Sequence, residues 1–141
     1  MILLDTNVVS EGMKQAPNPA VIAWLNAQAW ATMYLSAITV AELRVGIARL
    51  PAGKRRAMLH ERLETEVLPR FDGRALPLDL PATQTYAEMM AKAERKGKML
   101  PLPDAYIAAI ALTHKFIVAT RDTAPFIAAG LEVINPWEHE G

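Results

Sequence analysis

The chain begins with the sequence MILLDTN at residues 1–7, in which four apolar residues lead directly into Asp5 and two small polar residues. An apolar run this short, closed by polar residues, is typical of a buried strand in a parallel sheet. Such a strand places the Asp5 carboxylate at the carboxyl edge of the sheet, where open α/β sheets bind ligands. The function then depends on which other acids reach the same edge.

Segments that predict strands alternate with segments of helical periodicity along the chain. Further strands are predicted at 32–35, 74–78, 116–119 and 131–134, of which 74–78 is the weakest. Helices are predicted at about 6–13 (capped by Thr6 or Asn7), 20–29, 36–50, 54–67 (stopped by Pro69), 79–96, 104–115 (after an extended segment at 99–103) and 123–129. This order predicts an α/β fold with a mostly parallel central sheet and helices on both faces, in a single domain over residues 1–141.

Composition narrows the class of protein. With 52% hydrophobic and 21% charged residues among 141, the chain is globular rather than disordered. Basic and acidic residues balance at 15 each, so net charge indicates no partner. The absence of cysteine excludes disulfides and thiolate metal sites and suits a reducing compartment. No basic region precedes the first apolar run and no segment has the length of a membrane span, so we expect a soluble cytoplasmic protein.

Four acids occupy similar local settings. Asp5 and Asp122 follow predicted strands, whereas Glu42 and Asp104 lie near the beginnings of predicted helices. Each acid has a purely structural explanation when it is taken alone. The three aspartates could cap helices, and Glu42 could form a capping box with Thr39.

The four acids together predict a different role. Two carboxylates 4 Å apart repel by roughly 4 kcal/mol at an effective dielectric constant near 20, so a cluster of four needs protons or a cation. Oxygen ligands without histidine or cysteine suit Mg²⁺ or Mn²⁺. We therefore expect a divalent-metal site at this edge, in which Thr6 and Thr120 orient a carboxylate or a water.

Basic residues provide candidate contacts to a phosphate. Arg44 and Arg121 each lie close in sequence to one of the acids, where they could contact a scissile phosphate or simply offset the neighbouring charge. Lys92, Lys96 and Lys98 form a basic cluster shortly before Asp104 and are candidates for the same contact. The three histidines have no partner at metal-ligand spacing and are expected in solvated or capping positions.

Four motifs in this order resemble the PIN domain. They are MILLDTN at 1–7, SAITVAEL at 36–43, DAYIAA at 104–109 and VATRD at 118–122. More closely, they resemble the VapC and FitB type of toxin from type II toxin–antitoxin systems, and the closing NPW at 135–137 is similar to the FitB-like tail. The resemblance extends over nearly the whole chain.

The resemblance implies a ribonuclease that depends on Mg²⁺ or Mn²⁺. The acidic quartet of the family falls on Asp5, Glu42, Asp104 and Asp122, and Thr120 falls on the small hydroxyl position before the last acid. Members of the family typically form homodimers and are inhibited by an antitoxin protein that also binds operator DNA. RNA, a cognate antitoxin and a second copy of the chain are therefore the expected partners, with operator DNA reached only through the antitoxin.

The leading hypothesis is hydrolysis of RNA phosphodiester bonds, which needs no side-chain nucleophile when a metal activates water. A second reading is phosphate-monoester transfer through an aspartyl intermediate at Asp5. Enzymes of that kind usually carry another acid two residues later, where this chain has Asn7. A third reading is a non-catalytic subunit whose acidic pocket accepts a basic segment of a partner.

Overall fold

A five-stranded parallel sheet in the order β3-β2-β1-β4-β5 forms the centre of the computed structural model, which describes residues 1–141. Every pair of neighbouring strands is parallel. The predicted α/β fold with a parallel sheet is therefore confirmed. The strands are β1 (Ile2–Leu4), β2 (Met33–Ser36), β3 (Ala75–Leu76), β4 (Ile117–Ala119) and β5 (Val133–Ile134).

Seven α-helices connect and cover these strands. They are α1 (Thr6–Gly12), α2 (Pro19–Ala27), α3 (Ala37–Ala48), α4 (Lys54–Glu61), α5 (Leu80–Arg95), α6 (Leu102–His114) and α7 (Thr123–Ala128). Short 3₁₀ segments lie at Trp30–Thr32, Leu68–Phe71 and Pro136–Glu138, and a π-helical segment lies at Arg62–Val67. No helix combines the length and the hydrophobicity that crossing a bilayer requires.

Strand β1 is the central strand and is buried on both faces. Its pairing partners are β2 on one side and β4 on the other. Ile2 and Leu4 pack into one apolar core with α1, α2 and α3, whereas Leu3 packs into a second core with α5, α6 and α7. Helices thus cover both faces, and this double burial explains why β1 is apolar throughout rather than alternating.

Helix α6 packs closely because its inward side chains are small. Ala105, Ala108, Ala109 and Ala111 are completely buried. At the far end of the helix, the Thr113 hydroxyl lies 2.9 Å from the Thr85 hydroxyl of α5. The predicted close approach of this helix is confirmed, and α6 holds Asp104 in its first turn.

Two predicted helix boundaries were wrong. Helix α6 begins at Leu102 rather than at Asp104, so residues 102 and 103 are not extended. Pro103 is tolerated there because the first turn of a helix needs no N–H from that residue. The helix predicted at 54–67 does not stop at Pro69. It changes from α to π geometry at Arg62 and ends in a 3₁₀ turn that contains the proline.

Candidate active site

Residues that follow β1 and β4 meet at the carboxyl edge of the sheet because these strands are parallel neighbours. The Asp5 N–H donates to the Ala119 carbonyl at 2.9 Å, which extends the strand pairing one residue beyond β1. Asp5 is only 5% exposed and is the N-cap residue of α1, in place of the predicted Thr6 or Asn7. The first acid is therefore fixed at the rim of the sheet by both its backbone and its burial.

The Asp5 carboxylate accepts hydrogen bonds at both oxygens. Oδ1 accepts from the Thr6 N–H at 2.8 Å, which is the capping interaction expected for this position. Oδ2 accepts from the Thr120 hydroxyl at 2.8 Å and lies 3.5 Å from the Asn7 amide nitrogen. Helix capping thus accounts for the hydrogen bond at Oδ1 only. The hydrogen bond at Oδ2 comes from Thr120, in the segment after β4.

Thr120 connects two of the acids. Its buried hydroxyl donates to Asp5 and accepts the Asp122 N–H at 3.0 Å. Asp122 occupies the N-cap position of α7, but its side chain makes no capping hydrogen bond. The carboxylate of Asp122 is exposed, so this acid is not used to cap the helix that it precedes.

Glu42 is held by Thr6 rather than by a capping box. The Thr6 hydroxyl donates to Glu42 Oε1 at 2.6 Å and lies 3.1 Å from the Thr39 hydroxyl. Helix α3 begins at Ala37, and its cap is the Ser36 hydroxyl, which accepts the Thr39 N–H at 3.0 Å. The predicted alternative of a Thr39–Glu42 capping box is therefore wrong, because Glu42 lies in the second turn of the helix.

Asp104 lies close enough to the other three acids to be affected by their charges. Burial, and after it the charges of Asp5, Asp122 and Glu42, together raise the pKa of the Asp104 carboxyl to about 6. Asp104 is in the first turn of α6 and does not cap it, so the predicted N-cap alternative is also wrong. The structure brings all four acids into one electrostatic environment.

The pKa of Asp5 is raised as well. Burial is the main cause, and the charges of Glu42 and Asp122 act in the same direction. The hydrogen bonds from the Thr120 hydroxyl and the Thr6 N–H oppose this rise because they stabilise the charged carboxylate. The site therefore favours binding either protons or a cation.

The donor set fits a hard divalent cation, although it does not form a closed cage. No group of three or more histidine, cysteine, aspartate and glutamate side chains is placed to hold a metal ion by itself. Mg²⁺ usually keeps several waters and binds through one or two carboxylates together with substrate phosphates. Asp5, Glu42, Asp104 and Asp122, called the acidic rim below, supply only oxygen ligands and do not enclose an ion. This arrangement is compatible with that kind of binding.

Asn7 belongs to this site, although the sequence indicated it only as a possible cap of the first helix and as the residue in place of a second acid. Its amide nitrogen lies 3.4 Å from the Thr120 hydroxyl, and its amide oxygen accepts the Arg121 N–H at 3.3 Å. Asn7 thereby connects the first turn of α1 to the segment after β4. Its position directly after the Asp5-Thr6 pair was the only available signal, since both partners lie more than a hundred residues away in sequence.

The two arginines near the acids have different environments. Arg44 is bonded to Glu64 by two hydrogen bonds, of 3.1 Å from Nε and 2.7 Å from Nη2. This pairing raises the pKa of Arg44 and lowers that of Glu64. Arg121 is exposed, and its guanidinium carbon lies 5.2 Å from the ring centroid of Trp137.

Two cavities lie near the charged segments. Lys92, Lys96 and Lys98 line a cavity of about 420 Å³ whose walls include none of the four acids, so the structure does not join this cluster to the acidic rim. A larger groove of about 850 Å³ adjoins Thr6 and Glu42 and extends to Lys54 and Arg55 of α4.

Known proteins are similar to this chain in sequence. The sequence model described as the PIN domain matches residues 2–130. The chain is 60% identical over 138 residues to VapC ribonuclease Y4jK of Sinorhizobium fredii, covering 98% of this chain and 99% of that protein. It is 53% identical over 137 residues to Toxin FitB of Neisseria gonorrhoeae, covering 97% of this chain and 99% of the toxin.

A solved structure agrees with the sequence comparison. The chain superposes with a TM-score of 0.94 on a chain of FitAB bound to an IR36 DNA fragment, at 50% identity. The match covers 100% of this chain and 99% of the other. Similarity therefore extends over the whole fold, including the elements that carry the four acids.

Proposed function

This chain belongs to the PIN domain family, in the group that includes VapC ribonucleases and the FitB toxin, and we propose that it is a metal-dependent endoribonuclease acting as the toxin of a type II toxin–antitoxin pair. The names of the two relatives support a ribonuclease and a toxin respectively. The site geometry supports the same chemistry independently, because the acids that the family motifs contain lie at one edge of the sheet.

One observation carries the proposal. The pKa of Asp104 is raised to about 6, by burial and then by the charges of Asp5, Asp122 and Glu42. Carboxylates that only capped their own helices would not need to lie close enough for their charges to raise the pKa of Asp104. Their shared field at the ligand-binding edge of a parallel sheet supports metal-assisted phosphodiester hydrolysis, in which waters complete the coordination because no three of these acids are placed to hold an ion by themselves.

We propose that Asp5, Glu42 and Asp104 hold Mg²⁺ or Mn²⁺ directly or through waters, and that Asp122 supports them. Such an ion supplies an activated water and neutralises charge on the phosphate. The chain's own residues provide the orientation: Thr120 fixes one oxygen of Asp5, and Thr6 fixes one oxygen of Glu42.

The aspartyl-phosphate alternative fits the structure less well. Each oxygen of Asp5 accepts a hydrogen bond of 2.8 Å, which makes the carboxylate a weaker nucleophile without occupying its remaining lone pairs. Asn7 also provides an amide donor where such enzymes carry a second acid. Hydrolysis by an activated water does not need Asp5 as a nucleophile. A hydrogen-bonded carboxylate can still orient a cation or a water.

We propose the following partners. RNA is the substrate, and a cognate antitoxin binds the toxin and carries it to operator DNA, in line with the solved FitAB–DNA structure. A cationic side chain of that antitoxin would satisfy the acidic rim in place of a metal. A homodimer is supported by large apolar side chains that remain exposed on this single chain, including Leu80 (84%), Ile127 (57%), Met99 (56%) and Leu102 (55%).

The test is cleavage of RNA by the purified chain. We expect cleavage with Mg²⁺ or Mn²⁺, none with EDTA, and a loss of about 100-fold or more for Asp5→Asn. Asp72→Asn is the matched control because Asp72 is exposed and lies outside the acidic rim. Mn²⁺ should also raise the melting temperature of the wild-type protein and of Asp72→Asn, but not that of Asp5→Asn.

Two results would reject the proposal. RNA cleavage that persists in EDTA and in Asp5→Asn would point to a contaminating nuclease or to another site. A protein that neither cleaves RNA nor responds to Mn²⁺, but binds a basic peptide at the acidic rim, would establish the non-catalytic reading instead.

A further inference from the structure

Arg121 lies between two residues of the candidate active site. It follows Thr120 and precedes Asp122 at the point where β4 leaves the sheet. Its N–H donates to the Asn7 amide oxygen at 3.3 Å, so its backbone is fixed to the first turn of α1. The backbone of Arg121 therefore lies beside the acidic rim, and the charges that act on Asp5 and Asp104 do not include its guanidinium.

The Arg121 side chain is held by an aromatic ring and not by a carboxylate. Its guanidinium carbon is 5.2 Å from the centroid of Trp137, a distance at which cation–π attraction operates. The three salt bridges of the structure are formed by Lys14, Arg44 and Arg62, and Arg121 takes part in none of them. Its side-chain N–H groups make no hydrogen bond within the protein, so they are available to a ligand.

Glu11 is an acid whose pKa the charge of Arg121 lowers, and it already has other partners. Glu11 accepts from the Lys14 ammonium at 2.8 Å and from the Asn18 N–H at 2.9 Å. These two bonds are the main causes that lower the pKa of Glu11, and the charge of Arg121 contributes least. Offsetting the charge of Glu11 is therefore a minor part of what Arg121 does.

Arg44 provides the contrast within the same chain. Both arginines lie close in sequence to a site acid and both are exposed. Arg44 uses its Nε and Nη2 donors on Glu64. Only Arg121 combines a fixed backbone at the rim, an orienting ring and unoccupied donors.

We infer that Arg121 binds the phosphate adjacent to the scissile phosphate of the RNA, and that Trp137 is the positioning residue that orients it. The inference rests on the proposed ribonuclease function. A guanidinium group offers paired N–H donors that match two phosphate oxygens. The flanking phosphate is indicated because Arg121 forms no ion pair with the acids that would surround the reacting one.

The experiment compares Arg121→Gln with Arg44→Gln in steady-state cleavage of one RNA oligonucleotide by the whole chain. For Arg121→Gln we expect KM to rise about tenfold, with kcat within about twofold of the wild type. The slope of log KM against log salt concentration should fall by about one, because one phosphate contact is lost. Arg44→Gln should match the wild type in all three quantities.

Trp137 is tested by two substitutions. Trp137→Phe keeps an aromatic face and should keep KM near the wild-type value, whereas Trp137→Leu should raise KM toward that of Arg121→Gln. In the double variant, Trp137→Leu should add nothing to Arg121→Gln, since both act on the same contact. Melting temperatures of all variants identify any loss that comes from unfolding.

The outcomes separate this inference from the proposed function. If the wild type cleaves RNA but Arg121→Gln has unchanged KM and salt dependence, the Arg121 contact is refuted and the ribonuclease stands. A fall in kcat alone also refutes it, because that result would place Arg121 at the reacting phosphate. If the wild type cleaves no RNA, both proposals fail together.

Discussion

The Thr6 hydroxyl donates a hydrogen bond of 2.6 Å to Glu42 Oε1 and thereby joins the first turn of α1 to the second turn of α3. The same threonine gives its N–H to Asp5 Oδ1 at 2.8 Å. One residue thus sets the relative positions of two of the four acids. The candidate active site depends on this threonine as well as on its carboxylates.

Thr6→Val should reduce RNA cleavage by about 10-fold or more, because residues that orient metal-binding carboxylates typically have effects of this size. The Val side chain has a similar shape and leaves the N–H bond to Asp5 intact. Thr65→Val is the control, since the Thr65 hydroxyl bonds only to the Glu61 carbonyl of its own helix. Equal activity of the two variants would show that Glu42 needs no orientation by Thr6.

Thr120→Val should lower the free energy of unfolding by about 1–3 kcal/mol, because it removes a buried hydrogen bond to a carboxylate. The Asp122 N–H loses its partner in the same substitution. Thr120→Ser keeps the hydroxyl and should retain most of the stability. Urea unfolding in the absence of metal measures both variants, and a Val variant as stable as the wild type would show that the Thr120 hydroxyl bonds contribute nothing to stability.

The metal-free protein should become less stable as pH rises between about 4.5 and 6.5. The native state raises the pKa of Asp104 from 3.8 to about 6, so it binds that proton more tightly than the unfolded chain does. The stability that this proton provides is present at low pH and is lost as pH rises through about 6. Asp5 acts in the same direction because its pKa is also raised.

Asp104→Asn provides the control for this pH dependence. Its stability should vary less with pH over the same interval, because the titrating group has been removed. Glu11 and Glu64, whose pKa values are lowered, destabilise the protein only as pH falls below their usual value of 4.5. A wild-type profile that rises with pH across the interval would mean that Asp104 is ionised without difficulty in the native state.

Ala108→Leu should destabilise the protein by about 1–3 kcal/mol, because no space exists for three more carbon atoms beneath α6. Ala108 is 0% exposed and belongs to the apolar core that α6 shares with β1, β4 and α5. Ala87→Leu introduces the same side chain at an exposed position of α5 and should change stability little. Chemical denaturation of both variants gives the comparison, and equal stabilities would show that the helix can move to accommodate the leucine.

The sheet and the positions of the acids could be predicted because parallel topology leaves little choice. A fully buried strand that ends in Asp5 must deliver that residue to the carboxyl edge, and Asp122 follows the neighbouring strand by the same rule. The helix boundaries were harder, because local capping rules offered several valid beginnings. Ser36 rather than Thr39 caps α3. Helix α6 begins at Leu102, two residues before the predicted beginning at Asp104.

The environment of Arg44 could not be predicted from its sequence neighbours. Its partner Glu64 lies 20 residues away, in the segment where the helix changes to π geometry. That change shifts which side chains face α3, and no periodicity rule applied to residues 54–67 anticipates it. Long-range pairing of exposed side chains is decided by the folded chain, and the distinction between Arg44 and Arg121 appears only there.

The central position of β1 has a consequence for biosynthesis. Asp5 is synthesised more than a hundred residues before the segment 117–120, which supplies the second strand partner of β1 and the hydroxyl that bonds Asp5 Oδ2. Until those residues emerge, β1 can pair only with β2, and the acidic rim lacks the contacts from Thr120 and Asp122. If the chain acts as proposed, it can cleave RNA only after the segment that contains Thr120 has been synthesised.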